Sequence, residues 1–152
     1  MMTPAVSRWL LYWPTFLTLE MADSWITEAR KVAGRGDGLP MAAERRSDGA
    51  TLGWIMVNRS GEDRRKASFG YWLGEEHHGR GYMGEAAPIA VQAGFKLLDV
   101  DVIEAAVQPG HEASQRVLLK CGFKEVGSGE LFSPVRQRND FYRFYQIERQ
   151  GY

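Results

Sequence analysis

The sequence predicts an α+β domain built around one mixed, twisted sheet. Three observations carry this. Two apolar runs, Pro40 to Arg46 and Thr51 to Asn58, are joined by the turn Asp48-Gly49 and read as an antiparallel hairpin. An aromatic strand, a glycine-rich loop and a long apolar helix follow one another between Ser68 and Leu98. Two further strands, Val102 to Val107 and Phe123 to Phe132, bracket a short helix. Hairpins followed by strand–helix–strand units require parallel and antiparallel pairing in the same sheet.

In chain order, residues 1–17 are aromatic, with Trp9, Tyr12, Trp13 and Phe16 around Pro14. Thr18 is placed to cap a helix from Leu19 to Val32, whose Met21, Trp25, Ile26 and Ala29 form one stripe. Gly34-Arg35-Gly36-Asp37-Gly38 ends it. After the hairpin, Ser60-Gly61-Glu62-Asp63 turns the chain into a strand from Arg65 to Leu73. The helix after the glycine loop is expected over Glu85 to Leu98, with Pro88 inside it; a proline there removes the bond to the Gly84 carbonyl and predicts a kink or a freed carbonyl. The short helix spans Glu112 to Lys120, the strand Phe123 to Phe132 carries bends at Gly127 and Gly129, and Phe141 to Glu148 is the last strand.

Composition narrows the function classes. The 152 residues suit a single domain, 1–152, with a sizeable core. Lys+Arg and Asp+Glu balance at 19 each, which removes the electrostatic footprint of a nucleic-acid or anionic-membrane binder. No apolar run approaches the roughly 20 residues of a membrane span. Pro14 interrupts the run from Trp9 to Trp13 and no small-residue cleavage site follows, so no signal peptide is read there. The single cysteine, Cys121, excludes an internal disulfide and a cysteine-rich metal site, makes a reducing cytoplasm the default, and reads as a small core residue rather than a nucleophile. His77 and His78 lack further ligands at any recognised metal spacing, so no metal is expected.

The chemistry concentrates in His78-Gly79-Arg80-Gly81-Tyr82-Met83-Gly84. A strand, a glycine-rich turn and a helix point free backbone N–H groups into one space at the positive end of a helix dipole, which is an anion site and commonly a phosphate site. Glycine avoids a Cβ that would block the phosphate and tolerates positive φ. No Gly-Lys-Ser/Thr follows, so this is not a Walker A loop, and the glycines miss the dinucleotide spacing. Spacing alone leaves a flexible turn and a generic nucleotide-phosphate site both open.

The residues resemble a family. Gly-Tyr-Trp-Leu-Gly-Glu-Glu at 70–76, then His-Gly-Arg-Gly-Tyr-Met-Gly-Glu-Ala at 78–86, is similar to the acyl-CoA pyrophosphate loop of GNAT acetyltransferases. The branch most resembled includes the ribosomal-protein-alanine N-terminal acetyltransferases. Val107-Gln108-Pro109-Gly110-His111-Glu112-Ala113-Ser114 and Arg116-Val117-Leu118-Leu119-Lys120-Cys121-Gly122-Phe123 resemble that branch's second motif. The likeness covers roughly Leu39 to Arg149 and implies the GNAT fold. Family members begin with a strand and a helix ahead of the segment matching Arg8-Trp9-Leu10, where this chain has seven residues; the resulting sheet edge is expected to be covered by a loop or by a homodimer partner.

The resemblance implies direct transfer of an acetyl group from acetyl-CoA to a primary amine, on a protein N-terminus or a small molecule, in a ternary complex. It implies that Gly79 to Gly84 bind the pyrophosphate, with Arg80 available to a phosphate, and that Tyr71, Trp72 and Leu73 hold the pantetheine by main-chain bonds. That strand should splay from the one starting near Val102, so that a backbone N–H polarises the thioester. Ser114 matches the position proposed to donate a proton to the departing thiolate, with a helical serine turned back onto a carbonyl of the helix as the alternative. His111 stands where the family usually has a pantetheine-binding asparagine, and His78 where it often has Gln or Arg. Met83 replaces a small residue. Trp9, Tyr12 and Trp13 are candidates for the acceptor site, or seal one end of the core. A CoA-binding domain without turnover is the competing reading, and no carboxylate is singled out as general base.

Overall fold

The structure is a computed structural model and describes residues 2–14 and 16–150. Its elements run α1 (Pro4–Ser7), α2 (Leu19–Gly34), β1 (Gly38–Glu44), β2 (Thr51–Ser60), β3 (Lys66–Leu73), a 3-10 turn (Glu75–His77), α3 (Tyr82–Leu98), β4 (Val102–Val107), α4 (Glu112–Cys121), β5 (Lys124–Ser133) and β6 (Arg138–Glu148). The strands form one mixed sheet in the order β1-β2-β3-β4-β6-β5, in which only β3 and β4 are parallel. This is the GNAT fold anticipated from the two motifs.

Period-two alternation assigns the two faces. Ile55 and Val57 of β2, Ala67 and Phe69 of β3, and Ile103 and Val107 of β4 turn to one side, where α3 buries Met83, Ala87, Ala90, Val91, Phe95 and Leu98 on them. Gly94 lets the helix close on the sheet: a Cβ there would lie 2.8 Å from Val57 Cγ1 and 3.1 Å from Ile103 Cδ1. Trp54, Met56, Ser68, Gly70 and Trp72 therefore face the opposite side.

Several boundaries differ from expectation. The helix α3 begins at Tyr82, not Glu85, because Gly81, at φ 79°, turns the chain directly into it. It runs unbroken through Pro88, so the consequence of the proline is the loss of the N–H that would donate to the Gly84 carbonyl rather than a broken helix. In α2, Thr18 Oγ1 accepts from the Met21 N–H as expected, but Ile26 is 41% exposed; the half-buried stripe is Met21, Ala22, Trp25, Ala29 and Val32. The sheet edge β1 carries Pro40, which offers no N–H, and an irregularity at Ala43/Glu44, two features that blunt pairing with another strand.

One local feature controls the site. Strands β3 and β4 pair at only three positions, Lys66↔Val102, Ala67↔Ile103 and Ser68↔Glu104, although β3 continues to Leu73 and β4 to Val107. The closed end is bolted by Arg65, whose guanidinium meets Asp101 at 2.6 and 2.8 Å and the Asp99 carbonyl at 3.0 Å. Beyond Ser68 each strand keeps its outer partner, β2 for β3 and β6 for β4, and the two part company.

Candidate functional site

The split presents main-chain groups that no strand uses. Gly74 N–H donates to the Leu52 carbonyl at 2.9 Å, which fixes the antiparallel alternation between β2 and β3. By that alternation the backbone groups of Trp72 turn toward β2, and those of Tyr71 and Leu73 turn into the gap. The Leu73 carbonyl accepts a 2.9 Å bond from His78 Nε2, so His78 ties the loop back to the strand end.

The loop itself is organised for a ligand with acceptor atoms. Gly79 and Gly81 lie at φ 72° and 79°, where a side chain would be strained, and a Cβ built on either meets nothing within 4 Å. Gly84 is different: it is helical, and its Cβ would touch only Lys120 Nζ, at 3.7 Å. The first bond into α3 is Glu85 N–H to the Gly81 carbonyl, and no side chain caps the helix, which leaves the amides of Tyr82, Met83 and Gly84 outside the helical ladder. A groove of about 420 Å3 runs from these amides along Tyr71–Leu73 and is flanked by Arg116 and Lys120 of α4. The exposed Arg80 side chain is not among its lining residues; Lys120, the penultimate residue of α4, lies beside the start of α3 instead.

Across the gap, Tyr71 Oη and Ser114 Oγ meet at 2.5 Å. Ser114 is 7% exposed, and its hydroxyl partners Tyr71 rather than a carbonyl of its own helix. Burial pushes the Tyr71 phenol up to about 12, so it stays protonated and able to donate. Sequence reading assigned Tyr71 a main-chain role only; its side chain joins β3 to α4 over the split. Next to this pair, the His111 ring stacks on Trp9 at 4.7 Å and 13°, with the Arg8 guanidinium 4.3 Å over the other ring. Burial, with His78 and Arg8 nearby, lowers the His111 pKa to about 4, so the imidazole is neutral near pH 7.

A second cavity, of about 540 Å3, opens on the opposite face of the sheet and is lined by Trp54, Met56, Ser68, Gly70, Glu104 and Phe144 among others. Trp9, Leu10, Tyr71, Trp72, His111 and Ser114 line both spaces, so the two meet at the split. The segment from Trp9 to Trp13 lies along the second cavity. Trp13 packs edge-on against Trp25, Trp54 and Trp72, at 3.9, 6.4 and 5.3 Å between centroids. The segment is held from the β5–β6 hairpin: Ser133 Oγ donates to the Leu11 carbonyl at 2.8 Å, and Arg136 to the carbonyls of Leu10 at 2.7 Å and Ser7 at 3.3 Å. The Trp72 indole N–H is buried without a partner among the described residues.

Of the residues anticipated from sequence, the structure gathers Tyr71, Trp72, Leu73, His78, Gly79, Gly81, Tyr82, Met83, Gly84, His111, Ser114 and Trp9 along one groove, and places Tyr12 and Trp13 on the second cavity. Glu104, Lys120 and Arg136 were not singled out; lone charges on a short strand, a helix end and a hairpin carry no local signal. Among the described residues, no group of three or more His, Cys, Asp or Glu side chains is placed to hold a metal ion, and no helix is long and apolar enough to cross a membrane.

Comparison with known proteins agrees with this geometry. A profile of the acetyltransferase (GNAT) domain matches residues 1–124. The chain is 32% identical over 110 residues to YoaA of Bacillus subtilis, an uncharacterized N-acetyltransferase, covering 72% of this chain and 62% of that protein. Among solved structures it superposes on Mycobacterium smegmatis RimJ in complex with CoA-disulfide with a TM-score of 0.75 at 26% identity, covering 85% of this chain and 61% of RimJ. It superposes on the spermidine N-acetyltransferase of Vibrio cholerae, solved with CoA and spermine, with a TM-score of 0.73 at 16% identity, covering 90% and 78%. The chain thus spans less than two thirds of YoaA and of RimJ.

Proposed function

The chain belongs to the GNAT acetyltransferase family, and on that premise we propose that it transfers an acetyl group from acetyl-CoA directly to a primary amine in a ternary complex. The observation that carries this reading is the meeting of two cavities, one on each face of the sheet, at a split crossed by the Tyr71–Ser114 hydrogen bond. One space accommodates the donor, the other the acceptor, and the split is where they touch.

The groove suits CoA on its own residues: open, positive-φ glycines, three uncapped amides at the positive end of α3, and the cations Lys120 and Arg116 alongside. We assign the diphosphate to the amides of Tyr82, Met83 and Gly84, and the pantetheine to the main-chain groups of Tyr71 and Leu73 facing the gap. Acetyl-CoA supplies the acyl group as a thioester. We assign the donor role in the Tyr71–Ser114 bond to the tyrosine, which leaves the Ser114 proton free to hydrogen-bond the departing thiolate; the neutral His111 beside it adds no positive charge. Trp9, Tyr12 and Trp13 are assigned to the acceptor side. A single domain over 1–152, a cytoplasmic setting with Cys121 reduced, and action without metal, nucleic acid or membrane fit this reading.

Thermal shift and thiol release test it together. Stabilisation by CoA and acetyl-CoA but not ATP, with thiol released from acetyl-CoA when amines are added, is expected. Stabilisation by ATP and not by CoA would overturn the assignment. CoA binding without thiol release for any amine would leave a binding domain without turnover.

A further inference from the structure

Resting on that reading, we propose that the acceptor is a primary monoamine carried on a compact aromatic body, with its ammonium received by Glu104. The second cavity is walled by rings: Trp9, Tyr12, Trp54, Trp72, Tyr142 and Phe144 all line it. Rings of this kind take up another ring by offset or edge-on stacking and attract a neighbouring cation through their faces. Within that wall Glu104 is the single carboxylate among the described residues.

Its position suits an arriving ammonium, which gives up a proton to the carboxylate before the neutral amine attacks the thioester. Ser68↔Glu104 is the last pair before β3 and β4 separate, so Glu104 stands at the vertex of the split. Ala106, two residues along on the same face, borders the open gap at about 6.7 Å along the strand, within reach of a glutamate side chain and a bound ammonium. Glu104 Oε1 is the engaged oxygen: Gln146 Nε2 donates to it at 2.9 Å, and Lys66 Nζ lies 3.3 Å from the same atom. Among the described residues Oε2 accepts no hydrogen bond and is available to a cation.

The same inventory argues against two other acceptors. A polyamine presents several cations and calls for several carboxylates, whereas this cavity holds one. An extended peptide needs an open channel, whereas the segment from Trp9 to Trp13 lies along the cavity and is tied down through Leu10 and Leu11.

Titrating 2-phenylethylamine, spermidine and an alanine-led tetrapeptide into the CoA-saturated protein, with tryptophan fluorescence as readout and thiol release from acetyl-CoA in parallel, tests the proposal. 2-Phenylethylamine is expected to saturate at least ~10-fold more tightly than either of the others, and Glu104→Gln, which keeps the shape, to weaken it ~10-fold while CoA affinity holds. Tighter binding of spermidine or of the peptide, or an unchanged affinity in E104Q, would overturn it. Acetyl transfer to spermidine with 2-phenylethylamine excluded would sink the aromatic acceptor and leave the transferase reading standing. Binding of 2-phenylethylamine without thiol release would overturn its role as acceptor and count against the transferase reading as well.

Discussion

On one face of the sheet the groove at α3 is made of main chain: two glycines at positive φ, three uncapped amides, and the turned-out backbone of Tyr71 and Leu73. On the other face the second cavity is lined largely by side chains, contributed by β2 to β6, α4 and the segment from Trp9 to Trp13. The first kind of site tolerates almost any change that preserves φ and an open approach, and fails at the few positions where a Cβ intrudes. The second depends on tethers far along the chain, and individual losses there are smaller.

Breaking the main-chain site should produce the largest effect. In Gly81→Glu a side chain at φ 79° is strained, and its carboxylate enters the space assigned to the diphosphate. CoA affinity measured by calorimetry is expected to fall by ~100-fold or more, while the fluorescence of the tryptophan cluster stays unchanged. At the junction, Ser114→Ala should lower kcat by ~100-fold with little change in CoA affinity, and Tyr71→Phe by ~10-fold through loss of the Oγ contact. Equal losses in kcat and CoA affinity would show that this pair shapes the groove and does not serve the leaving group.

Breaking the side-chain site should act on the acceptor alone. Arg136 also meets Asp140 at 2.6 Å, so Arg136→Met removes its bonds to the Leu10 and Ser7 carbonyls, the latter still accepting from the Leu10 N–H at 3.0 Å, and leaves Asp140 to Arg138. A stability loss of ~2 kcal/mol in urea unfolding and a raised KM for amine, with CoA affinity kept, are expected. A matching loss of CoA affinity would mean that the two sites are not separable.

The smallest effect sharpens the boundary between them. With its pKa lowered to about 4 from an ordinary 6.5, His111 binds its proton less readily in the folded chain than in the unfolded one. Its contribution to stability is complete above about pH 6.5 and is lost as pH falls toward 4. NMR titration should show the ring neutral down to that range, and Trp9→Ala should move the pKa back up. An imidazole titrating near 6.5 in the parent protein would refute the burial beneath Trp9.

The same contrast explains what could be read in the sequence. Glycines 79 and 81, the strand before them and the apolar helix after them are local signals, so the groove was legible from Tyr71 to Gly84, and the two motifs named the family. The reach of the Tyr71 phenol to Ser114 and the Lys120 ammonium at the helix start join residues 36 or more positions apart, and no periodicity encodes such pairs. Glu104 illustrates the limit best. Alternation puts it on the face away from α3, but its place at the vertex exists only once the β3–β4 register stops at Ser68.

The most direct measurement is a crystal structure of the protein grown with CoA. The account predicts the diphosphate on the amides of Tyr82, Met83 and Gly84, and the sulfur in the split beside Ser114 Oγ, facing the cavity that holds Glu104. CoA seated anywhere else, with that split closed by side chains, would contradict it.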